Sequence, residues 1–166
     1  MIDYLSSIFT DHQIDHFTHN DHILIHNIEV TPHGNLIVIS SDSFEFPIVK
    51  SPHTLEYLLP TLIKSLIITQ KTYDLYSELE TYLEKYFPDF NVGHETNCYD
   101  GAYVYRHYYP NESSNIAIEA EGDHETITLK GVYSIGNQPR SRELITSPQN
   151  HKEIKDFIEE LLNVES

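Results

Sequence analysis

Residues 23–49 read ILIHNIEVTPHGNLIVISSDSFEFPIV, and this stretch decides the fold. Its apolar residues come in short runs separated by polar turns, a pattern typical of β-strands joined by tight connections. Strands are predicted at 23–30, at 36–40 and from Phe44 to Val49. Pro47 places the third strand at a sheet edge or a bulge, because proline cannot donate a ladder hydrogen bond. We therefore predict a three-stranded antiparallel meander within residues 23–50.

Helical periodicity flanks this meander on both sides. Apolar residues at Ile2, Leu5, Ile8 and Phe9 predict a short N-terminal helix over residues 2–9, and a polar, histidine-rich segment follows it up to residue 22. Residues 53–87 are helical in pattern. Because proline lacks the backbone donor and clashes with the preceding turn, Pro60 is expected to separate a short helix from a longer one.

The second half of the chain has the strand-like alternation of the first meander again, but without a repeat of its residues. Residues 101–135 alternate in the manner of strands and predict a second three-stranded meander, followed by a polar loop over 136–147. Ser147 is a good helix N-cap and Pro148 suits a first helical position, so a C-terminal helix is predicted over 148–164.

These elements predict an α+β fold in which helices cover antiparallel sheet, built as a single domain over residues 1–166. Hydrophobic residues make up 39% of the chain, enough for a substantial core. The order of helix, three strands, helices, three strands and helix is similar to that of acidic type III secretion chaperones. This resemblance is one of architecture, without a shared motif.

Charge is the strongest indication of function. The chain carries 26 Asp and Glu against 10 Lys and Arg, a formal net charge of −16, and its first 49 residues contain no Lys or Arg. Such a surplus repels nucleic acids and anionic membranes, and it attracts basic surfaces. We therefore expect a basic protein partner, itself nucleic-acid-binding, and neither direct nucleic-acid nor membrane binding.

The chain lacks the sequence signatures of several other classes of protein. No signal peptide and no apolar run of about 20 residues is visible, and Cys98 is the single cysteine, so a cytoplasmic protein is expected. Glycine-rich phosphate-binding motifs are missing. Cys98 is a candidate nucleophile with His94 and His107 as candidate bases. The hypothesis is weak, because nothing in the sequence shows an activating base beside the thiol. We therefore predict that the protein is not an enzyme.

The histidine-rich segment carries a metal hypothesis. On a helix, His12, His16 and His19 would share a face, where neutral imidazoles bind Zn²⁺ or a similar divalent ion. The spacing matches no established zinc motif. The alternative is a polar, partly exposed segment in a chain with 11 histidines, and no other cofactor is predicted.

Acidic and tyrosine side chains are the candidate partner-binding residues. On the C-terminal helix the acids recur on one face, and further acids gather at one hairpin beside a cluster of tyrosines, which suit protein interfaces. The candidates are Glu153, Asp156, Glu160, Glu119, Glu121, Asp123, Tyr103, Tyr105 and Tyr108. The alternative is an ordinary solvated acidic surface, because Lys152 and Lys155 lie beside the helical acids.

The sequence therefore favours a non-enzymatic inhibitor that blocks a basic partner by mimicking nucleic acid, as phage-encoded anti-CRISPR and anti-restriction proteins do. The alternatives are an immunity protein against a basic nuclease toxin, an acidic secretion chaperone and a histidine-rich metal-binding protein. The oligomeric state stays open.

Overall fold

The structure, a computed structural model, describes residues 1–42, 44–93, 103–111, 116–135 and 138–164. Within these residues the chain is α+β, with two five-stranded antiparallel sheets and three α-helices. The chain divides into two compact units, Met1–Ile67 and Ile68–Ser166. That residues 1–166 form a single domain stays a prediction. No helix in the described ranges has the length and apolarity needed to cross a membrane.

The first unit begins with helix α1 (Ile2–Asp11), as the periodicity predicts. A five-stranded meander follows, in which each strand pairs with the next. Its strands are β1 (Phe17–Thr18), β2 (Ile23–Ile25), β3 (Ile28–His33), β4 (Leu36–Ser41) and β5 (Phe44–Val49). A π-helical turn (Thr54–Leu58) then leads into helix α2 (Leu59–Glu84).

The prediction of three strands in this meander is wrong because one hairpin turn and one very short strand give no signal in the sequence. The predicted strand 23–30 is a tight hairpin, in which Ile25 pairs with Ile28. Its turn contains His26 at φ 53, a conformation for which glycine or asparagine is the usual signal. Strand β1 has only two residues and gives no periodic pattern.

Alternation along the strands builds the core of the first unit. One face of the sheet carries buried residues from β2, β3 and β4, and these pack with the apolar stripe of α1 and with the start of the following helix. The buried strand residues are Ile23, Ile25, Ile28, Val30, Ile37 and Ile39, and the helical ones are Leu5, Ile8, Phe9, Leu55, Leu59 and Ile63.

A short helical segment precedes a long helix near Pro60, as predicted, but the two are continuous, and the change from one to the other falls between Leu58 and Leu59. The π-helical turn leads without a break into α2, with the N–H of Leu59 bonded to the carbonyl of Thr54. In an α-helix the missing N–H of Pro60 would leave the Glu56 carbonyl without its donor. His12 Nε2 lies 3.1 Å from that carbonyl oxygen and satisfies it from outside the helix. The wide turn and this external donor together allow the helix to continue through proline.

The second unit contains the rest of α2, a second meander and a C-terminal helix. In chain order its strands are β6 (Asn91–Gly93), β7 (Val104–Tyr109), β8 (Ala117–Gly122), β9 (Ile127–Ile135) and β10 (Gln138–Thr146). Each strand again pairs with the next along the chain. Helix α3 (His151–Val164) begins three residues after the position that the predicted cap suggests.

The predicted loop at 136–147 is largely strand β10. All nine residues of β10 pair with β9, from Gln138 opposite Ile135 to Thr146 opposite Ile127. Most of its side chains are exposed on both faces, so the strand shows no apolar alternation. The second meander therefore also has five strands where three were predicted.

The core of the second unit lies on one face of its sheet. Tyr76, Leu79 and Leu83 of α2 belong to one buried cluster with the stripe of α3 and with strand residues such as Ile118 and Leu129. Ile154, Phe157, Ile158 and Leu161 form that stripe and are buried. The other face of the sheet carries the side chains at the alternate positions.

Candidate functional site

Strand register gathers polar and aromatic side chains on the face of the second sheet that points away from its core. Tyr105 of β7 lies opposite Glu121 of β8, and His107 lies opposite Glu119. Tyr109 is two residues beyond His107 on the same strand, so its side chain lies on the same face. We call this set (Tyr105, His107, Tyr109, Glu119 and Glu121) the tyrosine–glutamate face.

The aromatic side chains of this face contact one another along β7. The hydroxyl of Tyr105 lies 2.8 Å from His107 Nε2, and the two rings meet edge to face with centroids 5.1 Å apart. The His107 ring also meets the Tyr109 ring edge to face, at 6.4 Å. Three neighbouring rings are thereby fixed against each other, so binding a partner would order few additional rotamers.

The two glutamates of the face differ in their electrostatic surroundings. Lys130 Nζ of β9 lies 3.9 Å from Glu119, a weak contact between exposed groups. Among the described residues, Glu121 forms no ion pair with lysine or arginine. Partial burial is the larger cause, and the negative charge of Glu121 the next, that raises the pKa of the nearby Tyr103 phenol. Glu121 is therefore the carboxylate of this face most available to a cationic partner.

Two predicted residues near this face form contacts within the protein. The carboxylate of Asp123 accepts the backbone N–H groups of Glu125 at 2.8 Å and of Thr126 at 3.0 Å. These hydrogen bonds lower the pKa of Asp123 and close the hairpin between β8 and β9. Tyr108 is fully buried, and its hydroxyl donates to Glu80 Oε1 at 3.3 Å.

The prediction that Tyr108 contacts a partner is therefore corrected, because Tyr108 points into the core. Val104 lies four residues earlier on β7, so its side chain is on the same inward side as that of Tyr108. Arg106 lies between them, and its Nε is 3.5 Å from Glu80. The charged side chain of Arg106 makes the inward set of β7 look polar, so the alternation in the sequence does not show that this set faces the core.

The row of acids on α3 is largely neutralised by nearby cations. Asp156 pairs with Lys152 and lies 3.7 Å from Lys155, while Glu160 lies 3.1 Å from Arg142 of β10. Hydrogen bonding to Asp156 also raises the pKa of Lys152. Glu153 accepts a hydrogen bond from Thr146. These contacts match the alternative of a solvated helix face, and the partner-binding role of Glu153, Asp156 and Glu160 stays a prediction.

The predicted metal residues do not share a helix face, because α1 ends at Asp11 and Gln13 turns the chain at φ 58. His16 has both ring nitrogens within 2.8 Å of other groups, the Ser6 hydroxyl and the Ile14 carbonyl. His19 stacks on His22 with centroids 4.5 Å apart. Among the described residues, no three His, Cys, Asp or Glu side chains are placed to hold a metal ion.

The cysteine hypothesis lies outside the described residues, because Cys98 and His94 fall within 94–102. His107 is part of the tyrosine–glutamate face. Sequence reasoning named Tyr105, Glu119 and Glu121 but missed His107 and Tyr109 as members of the same surface. Alternation along β7 was the available signal, since the three aromatic residues occupy every second position.

Comparison of the chain with protein-family models, with curated proteins and with solved structures finds no match.

Proposed function

We propose that the protein is a non-enzymatic inhibitor that binds a basic, nucleic-acid-binding protein through the tyrosine–glutamate face. The observation that carries this proposal is the register of β7 and β8, which sets Tyr105 beside Glu121 and His107 beside Glu119 on the side of the sheet that points away from its core. Tyrosine supplies contact area at low entropic cost, and glutamate supplies attraction for lysine and arginine.

Blocking a nucleic-acid site requires that the protein compete for cationic side chains. Two glutamates at i and i+2 of one strand hold their charges at a fixed spacing of about 7 Å along that strand. The net charge of −16 adds long-range attraction to a basic cleft. An anti-CRISPR or anti-restriction inhibitor uses this physics, and an immunity protein against a basic nuclease uses it equally.

The test begins with affinity capture from host lysate treated with nuclease, so that no captured protein is held through nucleic acid. We expect enrichment of a basic, nucleic-acid-binding protein, whose binding weakens with salt because exposed charges are screened within about 8–10 Å. The captured protein is then purified and titrated. Saturation with the inhibitor is expected to abolish its binding to nucleic acid.

Variants locate the surface. Tyr105→Ala is expected to weaken the complex about 30-fold, the size of a hot-spot loss near 2 kcal/mol. Glu121→Gln is expected to weaken it less and to reduce its salt dependence. Glu159→Gln on α3 is the matched control, because Lys155 already neutralises that exposed carboxylate at 2.6 Å. The proposal fails if no basic protein is enriched, or if only the control weakens binding.

A further inference from the structure

The first sheet also has a face that points away from its core, and its composition differs from that of the tyrosine–glutamate face. One row of paired residues crosses all five strands of this sheet. In strand order it runs Phe17, Leu24, Glu29, Ser40 and Glu45. Because side chains alternate along a strand, this row lies opposite the buried row formed by Ile23, Val30 and Ile39.

The neighbouring positions of this face are apolar on β4 and β5, while Thr31 and His33 of β3 complete the same rows. Val38 and Pro47 are paired in the next outward row, and Leu36 and Val49 in the one after it. The side chains at the two edges are the most accessible, with Phe17 73% exposed and Val49 66% exposed. We call this surface (Phe17, Leu24, Glu29, Leu36, Val38, Glu45, Pro47 and Val49) the first-sheet open face.

The carboxylates of the first-sheet open face, those of Glu29 and Glu45, have no lysine or arginine partner among the described residues. Across residues 1–42 and 44–67, no Asp or Glu forms an ion pair with lysine or arginine. Glu29 accepts a hydrogen bond from the Thr31 hydroxyl at 2.8 Å. The ammonium group of Lys50, just beyond β5, instead donates to the Gly34 carbonyl at 2.7 Å. The face therefore combines exposed apolar area with uncompensated negative charge.

We propose that the first-sheet open face binds a cationic amphipathic segment of a partner protein. The apolar side chains of that segment would cover Leu24, Val38 and Val49, while its lysine or arginine side chains would meet Glu29 and Glu45. Removing apolar surface from water supplies the driving force, and the two carboxylates select the charge of the ligand.

The charges of the face favour this occupant over two others. A second copy of the chain would bring a second set of carboxylates without lysine or arginine partners to the same interface, and like charges oppose association. An anionic lipid surface is repelled by a protein with a net charge of −16. This proposal is independent of the proposed function, because the two surfaces share no residue.

The test uses three synthetic peptides of equal length titrated into the full-length, methyl-labelled protein. The first alternates leucine and lysine, the second has glutamate in place of lysine, and the third has serine in place of leucine. We expect the leucine–lysine peptide alone to bind, with shifts in the methyl signals of Leu24, Val38 and Val49. The methyl signals of Ile145, on β10 of the other sheet, are expected to stay unchanged.

Val49→Ser is expected to weaken peptide binding about fivefold or more, from the loss of part of one apolar contact. The matched control is Ile145→Ser, because Ile145 also lies on an edge strand and is 62% exposed. Glu29→Gln with Glu45→Gln is expected to weaken binding and remove most of its salt dependence. Urea unfolding confirms that each variant is folded, and Phe17→Ser replaces Val49→Ser if the latter is not.

Four outcomes would overturn the proposal. They are the absence of binding, equal binding of the serine–lysine peptide, methyl shifts confined to the second sheet, and self-association that Val49→Ser abolishes. The last outcome would identify a second copy as the occupant. Glu121→Gln is expected to leave peptide binding unchanged, so failure here is distinguishable from failure of the proposed function.

Discussion

Gly131 offers the sharpest test of how α3 packs against the second sheet. A Cβ atom at this position of β9 would lie 2.3 Å from Leu161 Cδ1, 3.0 Å from its Cδ2 and 3.2 Å from its Cγ. Carbon atoms in contact sit about 3.5–4.0 Å apart, so the substitution Gly131→Ala forces a shift of more than about 1 Å. Exchanging the two methyl groups of Leu161 by rotation does not relieve the clash, since both are close.

The expected cost follows from two opposing terms. Overpacking a buried site costs about 1–3 kcal/mol, and Leu161 is fully buried. Replacing glycine by alanine reduces the entropy of the unfolded chain and returns about 0.4–1 kcal/mol. We therefore expect Gly131→Ala to lower the free energy of unfolding by about 1–2 kcal/mol. Leu161→Ala alone is expected to cost about 2–5 kcal/mol, because it leaves a cavity.

The double variant distinguishes a direct clash from general damage. With Leu161 shortened, the new methyl group at residue 131 enters vacated space, so the two changes should be non-additive by about 1 kcal/mol or more. Urea unfolding followed by far-ultraviolet circular dichroism measures this, which suits a chain with no tryptophan. Thr128→Ala, on the outward side of β9, combined with Leu161→Ala is the additive control. A neutral Gly131→Ala variant, or strict additivity with Leu161→Ala, would refute the packing argument.

Three further predictions concern the polar groups. Asp123→Ala is expected to cost about 1 kcal/mol at pH 7. The pKa of Asp123 lies below its ordinary 3.8, so its contribution to stability is complete above 3.8 and is lost as the pH falls through the lowered pKa. In urea unfolding, the difference between the variant and wild type should therefore shrink as the pH is lowered from 7 to below 3.8. Arg106→Met is expected to cost about 2 kcal/mol, because it removes the cation beside the partly buried Glu80, and adding Glu80→Gln should restore part of this in the same assay. Chelation with EDTA is expected to leave the thermal unfolding midpoint unchanged, because His16 uses both ring nitrogens within the protein, and a fall in the midpoint would support the metal hypothesis.

The helices could be predicted from the sequence because their apolar stripes are strong. The stripe of α3 and that of α1 have the helical period, and both are buried as expected. Strand β10 could not be predicted in this way. Most of its side chains, including Arg140 and Arg142, are exposed, so backbone pairing with β9 chiefly defines it, and backbone pairing leaves no hydrophobic pattern.

The candidate site could be predicted only in part, for a related reason. Alternation along β7 was visible in the sequence, but it does not say which of the two sets of side chains faces the core. Arg106 sits on the inward set and made that set look polar, whereas its charge is compensated by Glu80. The pairing of Tyr105 with Glu121 is a matter of strand register, which depends on the turn between β7 and β8 and on burial of Ile118.

The distribution of cations, more than the number of acids, determines where this protein presents negative charge. On α3, Lys152 and Lys155 stand four residues before Asp156 and Glu159, a spacing at which oppositely charged side chains meet on a helix. The acids of α3 are therefore partly compensated wherever that helix forms. The first 49 residues contain no Lys or Arg at all, so no local pairing of this kind is available to Glu29 or Glu45. A cation-free segment is thus a better guide to an uncompensated surface than a dense row of carboxylates.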